Sequence, residues 1–330
     1  MDRMTHARML RIRRTPGATV LLFLTDRCPV GCAHCSVDSR PDGPRPGGTA
    51  LLAQIVDRLC ADPALTTVGV SGGEPFVERR ALTLAAERIT AAGKDLVVYT
   101  SGVWAGAGGT PRWIHDVLER CRCIYLSTDA HHEAAAGPGR FVRAAQAVAS
   151  HGLPLVVQVV DEEGALARAR ELLHAAFGDA WPQHAEVVPT RGLPHGRGAG
   201  VYRPADRTAG RDLGRCTEAA TPVVRYDGRV TACCNETVLM GGGPAGLRRE
   251  CADGDEVGAA VTGFRAAPLY RALGAVGGGG LTAHPAFADL ADRRFTGICG
   301  LCWEMTRRAP TLGDDPLLRA LGFWGRGEPA

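Results

Sequence analysis

The chain has 330 residues, 45% hydrophobic content and a formal net charge of only +3. That length allows a large buried core, the charge leaves no basic footprint for nucleic acid, and no apolar run approaches the roughly 18–20 residues of a membrane span. Lys94 is the only lysine, which carries no functional weight. Met1 to Arg14 is basic, without the apolar stretch or small-residue cleavage site of a secretory signal, and reads as a mobile or edge-pairing arm. A cytoplasmic location follows, and in a reducing compartment the 12 cysteines point to metal binding or chemistry rather than disulfides.

Short Val/Leu/Ile-rich runs then alternate with Ala/Arg/Leu-rich stretches, the pattern of β-α units around a parallel sheet. Strands are expected at Thr19–Thr25, Thr67–Val70, Leu96–Thr100, Cys123–Ser127, Leu155–Val160 and Ala185–Val188. Helices are expected at Ala50–Cys60, Arg79–Ala92, Arg112–Arg120, Arg140–His151 and Glu163–Phe177. The fold class is α/β, a partial (β/α)6 TIM-like barrel, fewer units than the eight of a closed barrel. Beyond Pro189 a Gly/Pro/Arg-rich linker leads to a small cysteine-rich extension, with a hairpin turn at Tyr226-Asp227-Gly228-Arg229. The expected organisation is an arm over 1–18, a core barrel over 19–195, the extension over 196–313, and a short helix with a frayed tail over 314–330.

Reactive groups of parallel α/β folds collect at the carboxyl ends of the strands, and the informative residues here follow strands. After the first comes Cys28-Pro-Val-Gly-Cys32-Ala-His-Cys35, a C-x3-C-x2-C loop. Three thiolates on such a loop can hold three corners of a four-iron cluster and leave the fourth iron open. The bland alternatives are buried thiols or a structural zinc site, for which His34 is the available fourth ligand. After the second strand comes Ser71-Gly72-Gly73-Glu74-Pro75. In order and placement the two motifs resemble those of the radical S-adenosylmethionine (radical SAM) superfamily, over about residues 18–190.

That resemblance implies a [4Fe–4S] cluster on Cys28, Cys32 and Cys35, with SAM chelating the open iron. One-electron cleavage of SAM would yield a 5′-deoxyadenosyl radical that abstracts hydrogen from a substrate. Gly72, Gly73 and Glu74 would form the edge that receives the methionine amino group. Ser101 and Ser127 at the ends of the third and fourth strands, and Gln158 on the fifth, are further candidates for SAM contact. The run Ser127-Thr-Asp129-Ala-His131-His-Glu133 places Asp129, His131 and Glu133 where substrate binding or proton transfer would occur, against the alternative of a helix cap and solvated first turn.

Farther on, Cys216, Gly228 and Cys233 form C-x11-G-x4-C, followed at a distance by Cys299-x2-Cys302. This resembles the SPASM and twitch extensions of radical SAM enzymes, and implies one auxiliary [4Fe–4S] cluster on Cys216, Cys233, Cys299 and Cys302 that transfers electrons. Spacing leaves Cys233 and Cys234 as alternatives, and a zinc ribbon would use the same ligands. Arg197, in Gly196-Arg197-Gly198, resembles a Gly-Arg segment of SPASM-type enzymes and is a candidate to line the site. Cys60, Cys121, Cys123 and Cys251 lack ligand spacing and read as buried thiols by default, with Cys251 the exception to watch because it follows the glycine-rich loop of the extension.

The function so implied is hydrogen abstraction in natural-product biosynthesis, on a ribosomally made peptide or on a small molecule such as an amino sugar or nucleoside. An external one-electron reductant is required. With the first strand near residue 19 there is no room for a leader-binding domain, so leader recognition would fall to a separate peptide-binding protein. A zinc-stabilised binding protein is the non-enzymatic alternative.

Overall fold

The computed structural model describes residues 3–324. Six strands, β1 (Thr19–Phe23), β2 (Thr67–Ser71), β3 (Asp95–Thr100), β4 (Cys123–Ser127), β5 (Leu155–Val160) and β6 (Ala185–Thr190), lie parallel in consecutive order. Parallel neighbours need crossovers, and helices supply them: α2 (Ala50–Cys60), α3 (Arg79–Ala91), α4 (Arg112–Leu118), α5 (Ala130–Ala136) with α6 (Pro138–Ser150), and α7 (Ala165–Phe177) with the short α8 (Trp181–His184). The chain is a partial α/β barrel, as its alternating pattern predicts.

Side chains alternate across the strands. Leu96, Val98, Ile124, Leu126, Leu155 and Val157 join the large core beneath the helices. Val97, Cys123, Tyr125 and Val156 turn to the opposite face, and there they meet the N-terminal segment. This segment is no mobile or edge-pairing arm. It forms α1 (His6–Arg14), whose Thr5 side chain accepts from the Arg8 N–H at 3.1 Å, and it packs Met4 and Met9 against that inner face. His6 Nδ1 lies 3.1 Å from the Tyr125 hydroxyl, and Arg13 pairs with Glu218. Methionine pairs with few apolar neighbours make a faint helical stripe, which is why the basic composition dominates the sequence pattern.

After β6 the chain adds β7 (Thr208–Ala209), β8 (Val223–Arg225), β9 (Arg229–Thr231), α9 (Glu236–Leu239) and β10 (Arg248–Glu250). Then follow α10 (Gly254–Ala266), α11 (Pro268–Ala275), α12 (Gly277–Leu281), β11 (Arg294–Phe295), α13 (Ile298–Leu312) and α14 (Pro316–Trp324). The frayed tail expected after α14 lies outside the described residues. Strand β8 pairs parallel with β1, and β9 and β10 follow antiparallel, so the extension prolongs the barrel sheet in the order β10-β9-β8-β1. The β8–β9 turn is the one the Asp227-Gly228 signal predicts. Gly228 has φ +89°, and a Cβ there would sit 2.1 Å from the Cys251 carbonyl oxygen. No helix among the described residues is long and apolar enough to cross a membrane.

Candidate metal and cofactor site

At the carboxyl ends of the strands lies a cavity of about 330 Å³ whose lining includes Cys28, Cys32 and Cys35. The cysteine loop is tied to its surroundings through the backbone. Cys28 N–H donates to the Arg40 carbonyl at 2.8 Å, and the next loop donates back, Gly73 N–H to Thr25 O and Glu74 N–H to Arg27 O at 2.6 and 2.8 Å. The two loops abut so closely that a Cβ on Gly73 would lie 2.3 Å from the Arg27 oxygen. Glycine is required there by backbone-to-backbone contact, a reason additional to approach by a ligand.

Gly72 and Gly73 line the cavity, as do Ser101, Ser127 and Gln158. The Glu74 side chain does not. It is fully buried and turns toward the strand ends, accepting from Thr100 Oγ1 and the Ser101 N–H at 2.8 Å each, and from the Ser101 hydroxyl. Burial raises its pKa, against these hydrogen bonds. Its carboxylate therefore fixes Ser101 rather than facing a ligand.

The segment after β4 also departs from expectation. Asp129 lines the cavity and caps α5, its Oδ1 accepting from the His132 N–H at 2.9 Å. That cap brings residue 132, not 131 or 133, back over the cavity. His132 lines it, with Nδ1 2.8 Å from Asp129 Oδ2, and His34 places Nε2 3.2 Å from the same oxygen. Burial disfavours an imidazolium at His132, but hydrogen bonds to Asp129 and Cys32 outweigh it and raise its pKa to about 10. The candidates His131 and Glu133 do not line this cavity. His131 stacks on His34, ring centroids 4.5 Å apart, and Glu133 pairs with Arg168 at 2.9 Å and lines a neighbouring cavity that Asp129 also borders. His132 is a cavity residue that the sequence motifs do not single out, and His34, considered there only as a zinc ligand, joins it at Asp129. Only the i, i+3 relation of His132 to a capping Asp could have flagged it.

A 3₁₀ turn, Gly196–Gly200, closes over the cysteine loop. Arg197 Nε donates to the Cys32 carbonyl and Nη2 to the Ser39 carbonyl, both at 2.9 Å, and its own N–H donates to the Cys35 carbonyl at 3.0 Å. The side chain lines the cavity while gathering these carbonyls.

The donor set fits an iron–sulfur cluster. Burial and the Glu74 charge push the Cys28 thiol up to about 12, so its thiolate needs a metal to hold it. The Ser39 hydroxyl and His34 Nδ1 are buried without a protein partner beside the same loop. Such orphaned groups imply an occupant.

The second cysteine set gathers in the extension. Cys216, Cys233, Cys299 and Cys302 lie within mutual electrostatic range, and burial raises all four thiols, Cys233 to about 12. Cys234 points elsewhere, its Sγ 3.6 Å from a Glu218 oxygen and its side chain packed near Phe23, Val223 and Leu239. Cys251 is buried among Glu250, Asp253 and Glu256, apart from the four.

No family model matches the chain. Over 160 residues it is 31% identical to PqqA peptide cyclase of Xanthomonas euvesicatoria pv. vesicatoria (strain 85-10), an alignment of 44% of this chain and 40% of that protein. The chain thus spans less than half the length of the curated relative it matches. Among solved structures it is similar to BtrN in complex with AdoMet and 2-DOIA, at 14% identity and TM-score 0.44, covering 84% of this chain and 92% of that one. SuiB of Streptococcus suis bound to S-adenosylmethionine gives 13% identity and TM-score 0.46, covering 80% and 70%. These scores carry no functional argument.

Proposed function

We propose that this chain is a radical SAM enzyme that matures a ribosomally made peptide in natural-product biosynthesis. The observation that carries this reading is the cysteine loop on a cavity at the strand ends, beside the Gly72-Gly73 edge and two orphaned polar atoms. Cys28, Cys32 and Cys35 would hold a [4Fe–4S] cluster as thiolates, and Gly72, Gly73, Ser101, Ser127 and Gln158 would position SAM. When bound, the cluster and SAM supply a carbon-centred radical able to take hydrogen from an unactivated C–H bond.

The chain's own residues bind, orient and shield. Glu74 holds the Ser101 hydroxyl and N–H in place at the rim. Arg197 fixes the carbonyls of the cysteine loop from above, and α1 covers the opposite face of the sheet with Met4 and Met9. Cys216, Cys233, Cys299 and Cys302 would hold one auxiliary [4Fe–4S] cluster. With all four irons ligated by protein, it would serve electron transfer, delivering an electron from an external one-electron reductant or passing one to an external acceptor. The peptide class of substrate rests on the aligned relative, a peptide cyclase. The location would be cytoplasmic.

Anaerobic purification, metal and sulfide analysis, and an assay for 5′-deoxyadenosine with a strong reductant test the reading. Iron with product formation, abolished by replacing Cys28, Cys32 and Cys35 with Ala, is expected. Zinc without product overturns it in favour of a zinc-stabilised binding protein. Turnover of a small amino sugar or nucleoside, with none of a peptide, would overturn the substrate class alone.

A further inference from the structure

A second cavity, of about 630 Å³, lies in the extension and takes no part in the chemistry proposed above. It opens between α10 and the end of α13, on an apolar lining that includes Ala260, Gly263, Phe264, Leu269, Ala309 and Leu312. Helix α10 sends Val257 and Val261 into the core and turns the side bearing Ala260 and Gly263 to this cavity. Four charged side chains stand on the lining, and three are already engaged. Glu250 pairs with Arg229 at 2.7 Å, Glu256 accepts from the Ala252 N–H at 2.8 Å, and Asp315 caps α14 and holds His284 Nε2 at 3.3 Å. Arg249 differs. Among the described residues it makes no ion pair, its Nη1 donates only to the neighbouring Arg248 carbonyl at 2.9 Å, and its guanidinium lies 5.5 Å from the Phe264 ring centroid. The inner wall is thin. Thr306 lines the cavity, is 3% exposed, and has its Oγ1 3.8 Å from Cys302 Sγ. The Tyr270 hydroxyl donates to the Gly246 carbonyl at 3.0 Å, and a Cβ on Gly246 would lie 3.0 Å from the Thr306 methyl, so this wall is tightly held.

Resting on the proposed function, we propose that this cavity binds a dissociable aromatic one-electron carrier with an anionic group, of the flavin mononucleotide (FMN) type, which reduces the auxiliary set. A mostly apolar cavity with a few directed polar groups is the usual form of a small-molecule site. The apolar lining beside Phe264 and Leu269 suits a planar ring system. Arg249, the lining cation without a carboxylate, offers planar donors that match a phosphate. A ring that touches Thr306 is one side chain from Cys302. There the reduced flavin gives up one electron and one proton and becomes the neutral semiquinone. The electron reduces the auxiliary cluster by one unit, and the proton passes to water at the open mouth of the cavity.

Equilibrium dialysis of FMN against the reconstituted full-length protein tests binding without reading turnover. Saturable binding below about 1 mM is expected. Arg249→Glu should weaken it about tenfold. Ala260→Trp fills the cavity and should abolish it, with iron content and melting temperature as in the wild type. Lumiflavin, which lacks the phosphate, should bind the wild type more weakly than FMN does, and R249E no worse than the wild type. The electron step is read in a variant with Cys28, Cys32 and Cys35 replaced by Ala. Photoreduced FMN should elicit the EPR signal of the remaining cluster there, and adding A260W should suppress it. No saturable binding by the wild type, binding that A260W leaves intact, or bound FMN that reduces nothing overturns the inference. If A260W does not fold, unchanged FMN binding by R249E overturns it. Wild-type protein that takes up zinc, or no cluster, defeats the proposed function instead, so the two failures are distinct.

Discussion

One buried ion pair ties the extension to the segment just before the cysteine loop, and breaking it should be costly. Arg225 at the end of β8 is 3% exposed and Asp26, two residues before Cys28, is 6% exposed. Arg225 donates Nη1 to Asp26 Oδ1 at 3.0 Å and Nη2 to Oδ2 at 2.8 Å, and the Tyr226 hydroxyl donates to Oδ2 at 2.8 Å. The guanidinium also lies over the Phe23 and Tyr226 rings, 5.1 and 5.3 Å from their centroids. Asp26→Ala strands a buried cation and a buried hydroxyl. Removing one partner of a buried pair costs about 3–5 kcal/mol. Arg225 keeps Asp227 at 3.0 Å, which places the cost near the lower end, and the orphaned Tyr226 hydroxyl adds about 1 kcal/mol. The expected loss is about 4 kcal/mol, a large share of the roughly 5–15 kcal/mol that stabilises a domain. Because β8 continues the barrel sheet, fluorescence and circular dichroism should report one coincident urea transition of the apo protein. The double variant Asp26→Leu/Arg225→Met removes both charges and should recover much of the loss, giving a coupling energy of about 2 kcal/mol or more. A cost below about 1 kcal/mol for D26A, or additive single losses, would refute the reasoning.

Three further outcomes are expected. Gly73→Ala must push against the Arg27 carbonyl, costing about 2 kcal/mol or more and lowering iron uptake; normal stability with full iron would contradict the close approach of the two loops. Cys233→Ser should lower bound iron by about half while Cys234→Ser leaves it intact, and the reverse result would reassign the ligand. Asp62 pairs with Arg265 of α10. Burial raises the Asp62 carboxyl, but the Arg265 hydrogen bond and the Ala64 N–H outweigh it and leave the pKa below its ordinary value. A carboxyl depressed in the folded state contributes stability above its unfolded pKa of about 4 and loses it as pH falls through the folded value. Asp62→Asn should therefore cost about 1 kcal/mol at neutral pH, with the gap to wild type closing toward acid; a gap independent of pH would count against the ion pair.

Much of the barrel was legible because its signals are local. The runs Cys123–Ser127, Leu155–Val160 and Ala50–Cys60 form the elements that their composition predicts, to the residue. The cysteine loop and the Gly72-Gly73 edge follow their strands for the same reason, since spacing within a loop is a property of adjacent residues. The β8–β9 hairpin was equally legible from Asp227-Gly228.

What tertiary structure decided was orientation and partnership. That Asp129 and His132 line the cysteine cavity while His131 and Glu133 do not depends on the cap that starts α5. That Cys233 joins Cys216, Cys299 and Cys302 while Cys234 approaches Glu218 depends on how the segment after β9 lies against the barrel. The basic N-terminus becomes a helix only because an inner sheet face is there to receive Met4 and Met9. Arg225 meets Asp26 across 199 residues of chain, and Arg197 meets the Cys32 carbonyl across 165. Composition and periodicity act over a few residues at a time and fixed the elements and the reactive loop. Contacts across such separations exist only once the sheet has assembled, so the folded chain alone determined what surrounds that loop.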